Sequence, residues 1–312
     1  MIVRPRPTAW QLLYILRGTV LPRVLPQVLG VSGLSCLAVW GPRNLGIHLP
    51  PSTAVPMSLL GLALSIFLGF RNNASYDRWW EARKHWGALI IELRSLARET
   101  VALLDDGAVP GVPVQGRQEA RRLIHRGIAF AYAFAGYLRG HDDRENLARF
   151  LSPEEAGRVR ASINPPDALL REMANELASL RRTGRLADIP WQTLSERVGA
   201  LSAVLAACER IRFTPLPFAY TVLLHRTAYL FCLILPFGLA EMLGWLAPVL
   251  SAILAYTFFG LDALGDELEN PFGQVPNGLP LLAIARTAER GLLEALGEPT
   301  PEPLQPQSYV LM

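Results

Sequence analysis

Within residues 59–80, LLGLALSIFLGFRNNASYDRWW, the side chains are sorted by size. Leu62, Ile66 and Phe70 recur every four residues, and Gly61, Ser65 and Gly69 recur beside them at the same interval. On a helix each set forms a stripe, because residues four apart share a face. The chemistry open to such stripes is physical rather than covalent. A small-xxx-small face lets helix backbones approach closely in lipid. A stripe of bulky apolar groups either meets lipid or, where several copies surround an axis, builds a ring that excludes water and gates ions. In the second case Arg71, Asn72, Asn73 and Ser75 would line or support a wetted mouth. In the first they belong to a helix leaving the bilayer. The residues alone leave both open.

Covalent chemistry finds little support. The one lysine, Lys84, follows no glycine-rich loop, so no Walker A site exists, and no G-x-G-x-x-G, G-x-S-x-G or H-E-x-x-H occurs. His48, His85, His125, His141 and His225 have no ligand spacing. Cys36, Cys208 and Cys232 match neither a disulfide framework nor a zinc pattern, and buried, inert thiols are expected. His225-Arg226, an ionisable pair inside an apolar run, is costly there. A structural pairing, for example of Arg226 with an acid on a neighbouring helix, fits it better than an ion site. Tyr76, Trp79, Trp80 and Trp86 are expected to pack where the helix leaves the membrane rather than to form an aromatic cage.

The elements that must hold these residues are helices in and next to a bilayer. Of 312 residues 51% are hydrophobic and 18% charged, with a net charge of +3 and a mean hydropathy of +0.24. That balance belongs to a membrane protein with a substantial aqueous part. Four runs approach the roughly 20 residues that cross a bilayer as helix: residues 24–42, residues 44–70 with a break at Pro50-Pro51 and a helix start near Pro56, residues 213–240, and residues 242–261. Pro215, Pro217, Pro236 and Pro248 read as start and stop marks of helices. Arg17 and Arg23 interrupt the apolar region a cleavable signal needs, so the N-terminal segment is expected to stay in the mature chain.

Lys plus Arg number four in residues 1–23 and 22 in residues 71–212. The positive-inside rule puts both termini and this middle segment in the cytoplasm. The second span is expected to run on as one long helix through residues 75–104, with Trp79, Leu89, Leu93 and Leu96 at helical spacing. Further helices are expected over 117–139, 166–182 and 190–212, loops over 105–116 and 184–189, and a loose strap or disordered end at 299–306. The resulting parts are residues 1–82 with the first two spans, a cytoplasmic helical region 83–212, the last two spans 213–264, and a cytoplasmic segment 265–312. A transporter would need inverted repeats, which are absent. Arginine richness without a recognition motif, among many acids, points to no nucleic-acid partner.

The run FLGFRNNASYDRWWEARKHWG (67–87), with PLPFAYTVLLHRTAYLFCLILPFGL (215–239) and DELENPFG (266–273), resembles the bestrophin family in its bacterial form. The resemblance implies an all-α membrane protein with four transmembrane helices per subunit, a large helical cytoplasmic region and a homopentamer around one pore. It puts the hydrophobic neck at Leu62, Ile66 and Phe70. A cytoplasmic constriction falls at Ile189, with its helix beginning at Pro190. Asn72 and Asn73 become polar residues of the pore mouth, and Gly61, Ser65 and Gly69 helix-packing positions. Animal members hold calcium with an acidic run after NPFG. Here Gln274, Val275, Pro276, Asn277 and Gly278 supply no carboxylate, and calcium needs hard oxygens with carboxylates among them. No metal, no cofactor and no calcium gating of that kind are expected, and Asp262, Asp266, Glu267 and Glu269 are expected to pair with arginines of the cytoplasmic region. The expected function is passive conduction of monovalent ions in a bacterial cell membrane, without catalysis. Partners are the permeant ion, membrane lipid and further copies of the chain. Chloride is the family expectation; apolar rings do not set the sign, so sodium or potassium remains the alternative, and a non-channel receptor or scaffold is a third reading.

Overall fold

The computed structural model describes residues 1–4, 7–16, 18–45, 54–104 and 115–311. Eleven α-helices account for most of them, and β-pairing is confined to isolated bridges. In chain order they are α1 (Ala9–Tyr14), α2 (Leu21–Leu45), α3 (Ala54–Leu104), α4 (Gln115–Arg139), α5 (Arg144–Phe150), α6 (Pro153–Ala161), α7 (Pro165–Arg182), α8 (Asp188–Phe213), α9 (Phe218–Leu243), α10 (Ala247–Glu269) and α11 (Leu281–Ala295).

Two segments, Leu21–Asn44 and Phe218–Glu269, are long and apolar enough to cross a membrane. The second is folded in half. Gly244 adopts φ +53° at the end of α9, and a short 3₁₀ turn (Gly244–Leu246) reverses the chain into α10. That left-handed backbone suits glycine, which has no Cβ to clash. The first part of α3 joins α2, α9 and α10 in an apolar four-helix unit. Val24, Val28 and Val31 of α2, Leu64 and Leu68 of α3, Leu224 and Phe231 of α9 and Phe258 of α10 share one apolar core, in which α9 and α10 stand between α2 and α3. The rings of Phe231 and Phe258 meet edge to face at 5.1 Å.

At about 1.5 Å per residue, the 51 residues of α3 extend roughly 75 Å, more than twice a hydrocarbon core of about 30 Å. Its second part is therefore the spine of a separate bundle. Trp86, Leu89, Leu93 and Leu96 are enclosed by α4, α8 and α11, with α7 packed outside on α4 and α8, and Trp86 stacks on Phe134 at 5.2 Å. Local caps fix the shorter helices. Asp143, Ser152 and Asn164 accept from the backbone N–H three residues on, starting α5, α6 and α7, and Pro occupies the first turn of α6 and α7. Arg23 at the start of α2 lies 2.9 Å from Asp266 near the end of α10, and Tyr220 at the start of α9 donates to the Phe67 carbonyl of α3. The polar bundle, the start of α2 and the end of α10 thus share one side. Met1 and Leu311 exchange two backbone hydrogen bonds, bringing the chain ends together.

Several expectations need correction. Pro236 lies inside α9 rather than at its end; neighbouring helices hold an apolar helix through such a gap in its ladder. The helix of the last span does not stop at Leu261 but continues as α10 to Glu269, because the acids beyond Leu261 find a cation inside the fold. α8 begins at Asp188, two residues before Pro190, and Gln115 and Gly116 already belong to α4. α5, α6 and α11 were not expected from periodicity. The Pro-rich tail is tied back, with Arg286 donating to the Glu302 carbonyl and Val3 to that of Tyr309. The Pro50-Pro51 break, His48 and residues 105–114 of the expected loop lie outside the described residues.

Candidate functional site

One face of α3 lacks cover along its length. Leu62, Ile66 and Phe70 are 60%, 48% and 60% exposed, whereas Leu64 and Leu68 on the facing side are 2% and 0% exposed. The same exposed stripe continues through Asn73, Asp77, Trp80, Lys84, Gly87, Ile91 and Arg98, at steps of three, four or seven residues. Such spacing keeps a row on one side of a helix. Of the small residues, Gly61 abuts Phe231, with 3.1 Å between that ring and a Cβ built at Gly61. Ser65 is exposed, and Gly69 has no neighbour within 4 Å of such a Cβ. Within one chain, then, only Gly61 is a packing position.

The expected polar mouth divides. Asn73 is exposed, but Asn72 is half-buried against α10, where a Cβ on Gly265 would come within 2.5 Å of its Oδ1. Gly265 is what lets α3 and α10 approach there. Arg71 and Ser75, expected at the mouth, are fully buried. Arg71 reaches Asp262 at 2.7 Å, Asp266 at 2.5 Å and Glu269 at 3.4 Å. The α10 acids therefore pair mainly with Arg71 and Arg23 of the apolar unit, not with arginines of the polar bundle, and Glu267 accepts from Asn277. His225, not Arg226, is the half of its pair that meets an acid: its Nδ1 lies 2.7 Å from Asp262, while Arg226 is exposed. A signal for this network was present in the spacing of Asp262, Asp266 and Glu269, which share a face once α10 is continued.

Ion pairs orient α8 antiparallel to α3. Arg210 meets Glu81 at 2.5 Å, and Arg197 meets Glu92 at 3.3 Å and Glu99 at 3.0 Å. Ile189, 79% exposed in the first turn of α8, accordingly sits toward the far end of α3, roughly 55 Å from Ile66 by helical rise. Glu92 and Glu99 share the single cation of Arg197, whereas Asp77 and Lys84 are exposed on the α3 stripe with no ion pair among the described residues.

The remaining candidates are structural. Trp86 is core, and Trp79 donates from Nε1 to the Asn277 carbonyl at 2.9 Å. Trp80 and Tyr76 stack on one another at the surface. Burial pushes the Cys208 thiol up to about 12, with Glu81 and Glu209 adding to it. In the core of the polar bundle, Glu289 is held by Tyr132, Arg149 and Arg286. Burial first, and then Glu289, push the Tyr132 hydroxyl up to about 12. The 270–280 segment is closed by its own bonds: Leu279 N–H donates to the Pro271 carbonyl, Gly278 N–H to Val275, and Arg139 to Phe272 and Leu279. Among the described residues no group of three or more His, Cys, Asp or Glu is placed to hold a metal ion.

The profile of the family described as "Bacterial/Fungal Bestrophin protein" matches residues 1–294. A voltage-dependent anion channel-forming protein of Mesorhizobium japonicum is 45% identical over 99% of this chain and 96% of its own length. The voltage-dependent anion channel-forming protein YneE of Escherichia coli is 44% identical over 94% and 93%. Among solved structures, a bacterial bestrophin homologue from Klebsiella pneumoniae superposes with a TM-score of 0.80 at 39% identity, covering 90% of this chain and all of that one. Another of the same likeness is described as a membrane protein. With family, fold and apolar unit in agreement, the chain is an all-α membrane protein of the bestrophin family.

Proposed function

We propose that this protein is a passive ion channel in which five copies surround a pore lined by α3. The carrying observation is the uncovered apolar stripe Leu62, Ile66 and Phe70, opposite a fully packed face. Five copies of that stripe make a narrow hydrophobic neck, and a ring of Ile189 makes a second constriction at the far end of the polar bundle. Ser65, whose hydroxyl is bonded only to its own helix at the Gly61 carbonyl, and Gly69, which no side chain approaches within one chain, then serve the contact between neighbouring α3 helices, while Gly61 packs on Phe231. Asn73 lines the mouth below the neck, with Asn72 supporting it from behind. The channel lies in the cell membrane of a bacterium with the polar bundle and both termini in the cytoplasm, consistent with the basic residues at the start of α2 and in the bundle.

Anions, chloride above all, are the favoured cargo. The relatives are named as anion channels, and the exposed α3 face carries Lys84 and Arg98 against Asp77 alone. Conduction is independent of calcium, since the NPFG segment offers no carboxylate and spends its carbonyls on its own closure. A monovalent-cation channel of the same architecture is the second reading, favoured by the unpaired Asp77 nearest the neck. Bilayer recording in asymmetric potassium chloride decides between them by the reversal potential. Ile66→Ala, which widens the neck, should raise conductance in intact pentamers. Unchanged or smaller currents would remove Ile66 from the restriction, and a monomeric, silent protein would remove the channel.

A further inference from the structure

A cavity of about 560 Å³ opens where the two helical units meet. Arg78 of α3, Arg139 at the end of α4 and Arg212 near the end of α8 line it, together with Asp266, Glu269 and Phe272. The two acids are already engaged: Asp266 by Arg71 at 2.5 Å and Arg23 at 2.9 Å, Glu269 by Arg71. None of the three arginines has a carboxylate at ion-pair distance among the described residues. They donate to main-chain carbonyls instead, Arg78 to Ile211, Thr214 and Glu269, Arg139 to Phe272 and Leu279, and Arg212 to Tyr137. Bracing helix ends accounts for those bonds. It leaves donors over on Arg139 and Arg212, since a guanidinium carries five N–H groups, and it leaves the charge uncompensated. Burial accordingly lowers the pKa of Arg139 below its ordinary value with nothing opposing it. The Arg212 plane is held by the rings of Tyr137 at 5.4 Å and Phe213 at 5.0 Å.

We propose that this cavity binds a phosphoryl oxyanion, gripped by Arg139 and Arg212 with Arg78 contributing charge. Planar guanidinium groups match phosphate oxygens two at a time. The volume lies within the roughly 300–1,000 Å³ of small-ligand sites, far more than a bare halide needs. Its position names two sources of the phosphoryl group. Pro215 in its wall is flanked by Phe213 and Phe218, 58% and 81% exposed, at the point where the apolar α9 begins. A lipid headgroup stands at that level in a bilayer covering α9. Free phosphate could reach the same arginines from the aqueous side.

The test needs no current, so it stands or falls apart from the channel. Purified full-length protein is placed in nanodiscs of phosphatidylcholine with or without phosphatidylglycerol, and bound lipid is read by native mass spectrometry. In parallel, inorganic phosphate is titrated in detergent and followed by calorimetry. Retention of phosphatidylglycerol over phosphatidylcholine establishes the lipid source; saturable phosphate binding that displaces that lipid establishes the soluble one. Arg139→Gln combined with Arg212→Gln should weaken either by about tenfold or more, as the loss of charge-assisted bonds implies. Arg212→Lys keeps charge but not the fork, and should fall between. If the double variant does not fold, Arg212→Lys and the native titration decide. Native protein that binds neither probe, or variants that bind as native does, would overturn the site.

Discussion

Arg71→Met removes the cation shared by three acids of α10, and the cost follows from how each acid is covered. Asp266 is about a third exposed and keeps Arg23 at 2.9 Å, so solvent and that arginine offset much of its loss. Glu269 stands 3.4 Å away and gains little from the pair. Asp262 decides the outcome. Its side chain is 6% exposed, lies 2.7 Å from Arg71 and is left with His225 alone. Stranding one partner of a buried ion pair costs about 3–5 kcal/mol. Relief from His225 places the expected loss near the lower end, about 3 kcal/mol, or an apparent melting shift of roughly 5 °C for a chain of this length. Melting of detergent-purified native protein, Arg71→Met, Asp262→Asn and the double variant, followed by circular dichroism, reads it directly. With no carboxylate left at 262, the double variant should melt above Arg71→Met alone, a coupling that separate contributions would not give. Should Arg71→Met melt within about 1 °C of native protein, or the double lose the sum of both single losses, this network does not hold α3 on α10.

Lys84→Glu replaces the first cation of the exposed α3 stripe below the neck and should move the reversal potential toward the potassium equilibrium value. The shift should shrink near 1 M salt, where the screening length is about 3 Å. An unmoved reversal potential at low salt would exclude the α3 face from charge selection. At the junction of α4 with the tail, burial lowers the pKa of His125 despite Glu298 at 3.2 Å. Burial opposes the charge on Glu298 too, but Arg121 and His125 hold its carboxyl below the usual range. Both groups bind protons less readily folded than unfolded, so both stabilise the fold as pH rises. The His125 share is whole above about pH 6.5 and is lost as pH falls through the lowered value, and the Glu298 share goes later, below about pH 4.3. Melting temperature should fall in those two steps on acidification, with the second smaller in Glu298→Gln, where Glu81 and Asp142 still contribute; a flat native profile refutes this.

Much of this architecture was legible before any coordinates. Lipid demands long, predominantly apolar helices, and residues 24–42, 213–240 and 242–261 approach that locally, with His225-Arg226 the one ionisable interruption. The periodicity of Trp79, Leu89, Leu93 and Leu96 likewise carried α3 out of the apolar unit. The short α5 and α6 were harder, although Ser152-Pro153 is a start signal, because helices of seven and nine residues span too few turns for a period. The helical period of α11, with Leu281, Ala285, Ala288 and Leu292 on its buried face, is by contrast written in the sequence.

Sequence by itself determined the long helical segments, which runs are apolar, and that bulky and small residues stand beside one another on α3. Those are properties of neighbours within a few turns. Partnership was decided only by the tertiary structure. Arg71 meets Asp262 across 191 positions of chain, a distance over which no local pattern carries information. His225 faces an acid and Arg226 does not because α9 is rotated by its packing against α10, not by anything in the dipeptide. For the same reason the uncovered side of Leu62, Ile66 and Phe70 could be identified only after α9 and α10 had claimed the other faces of the helix.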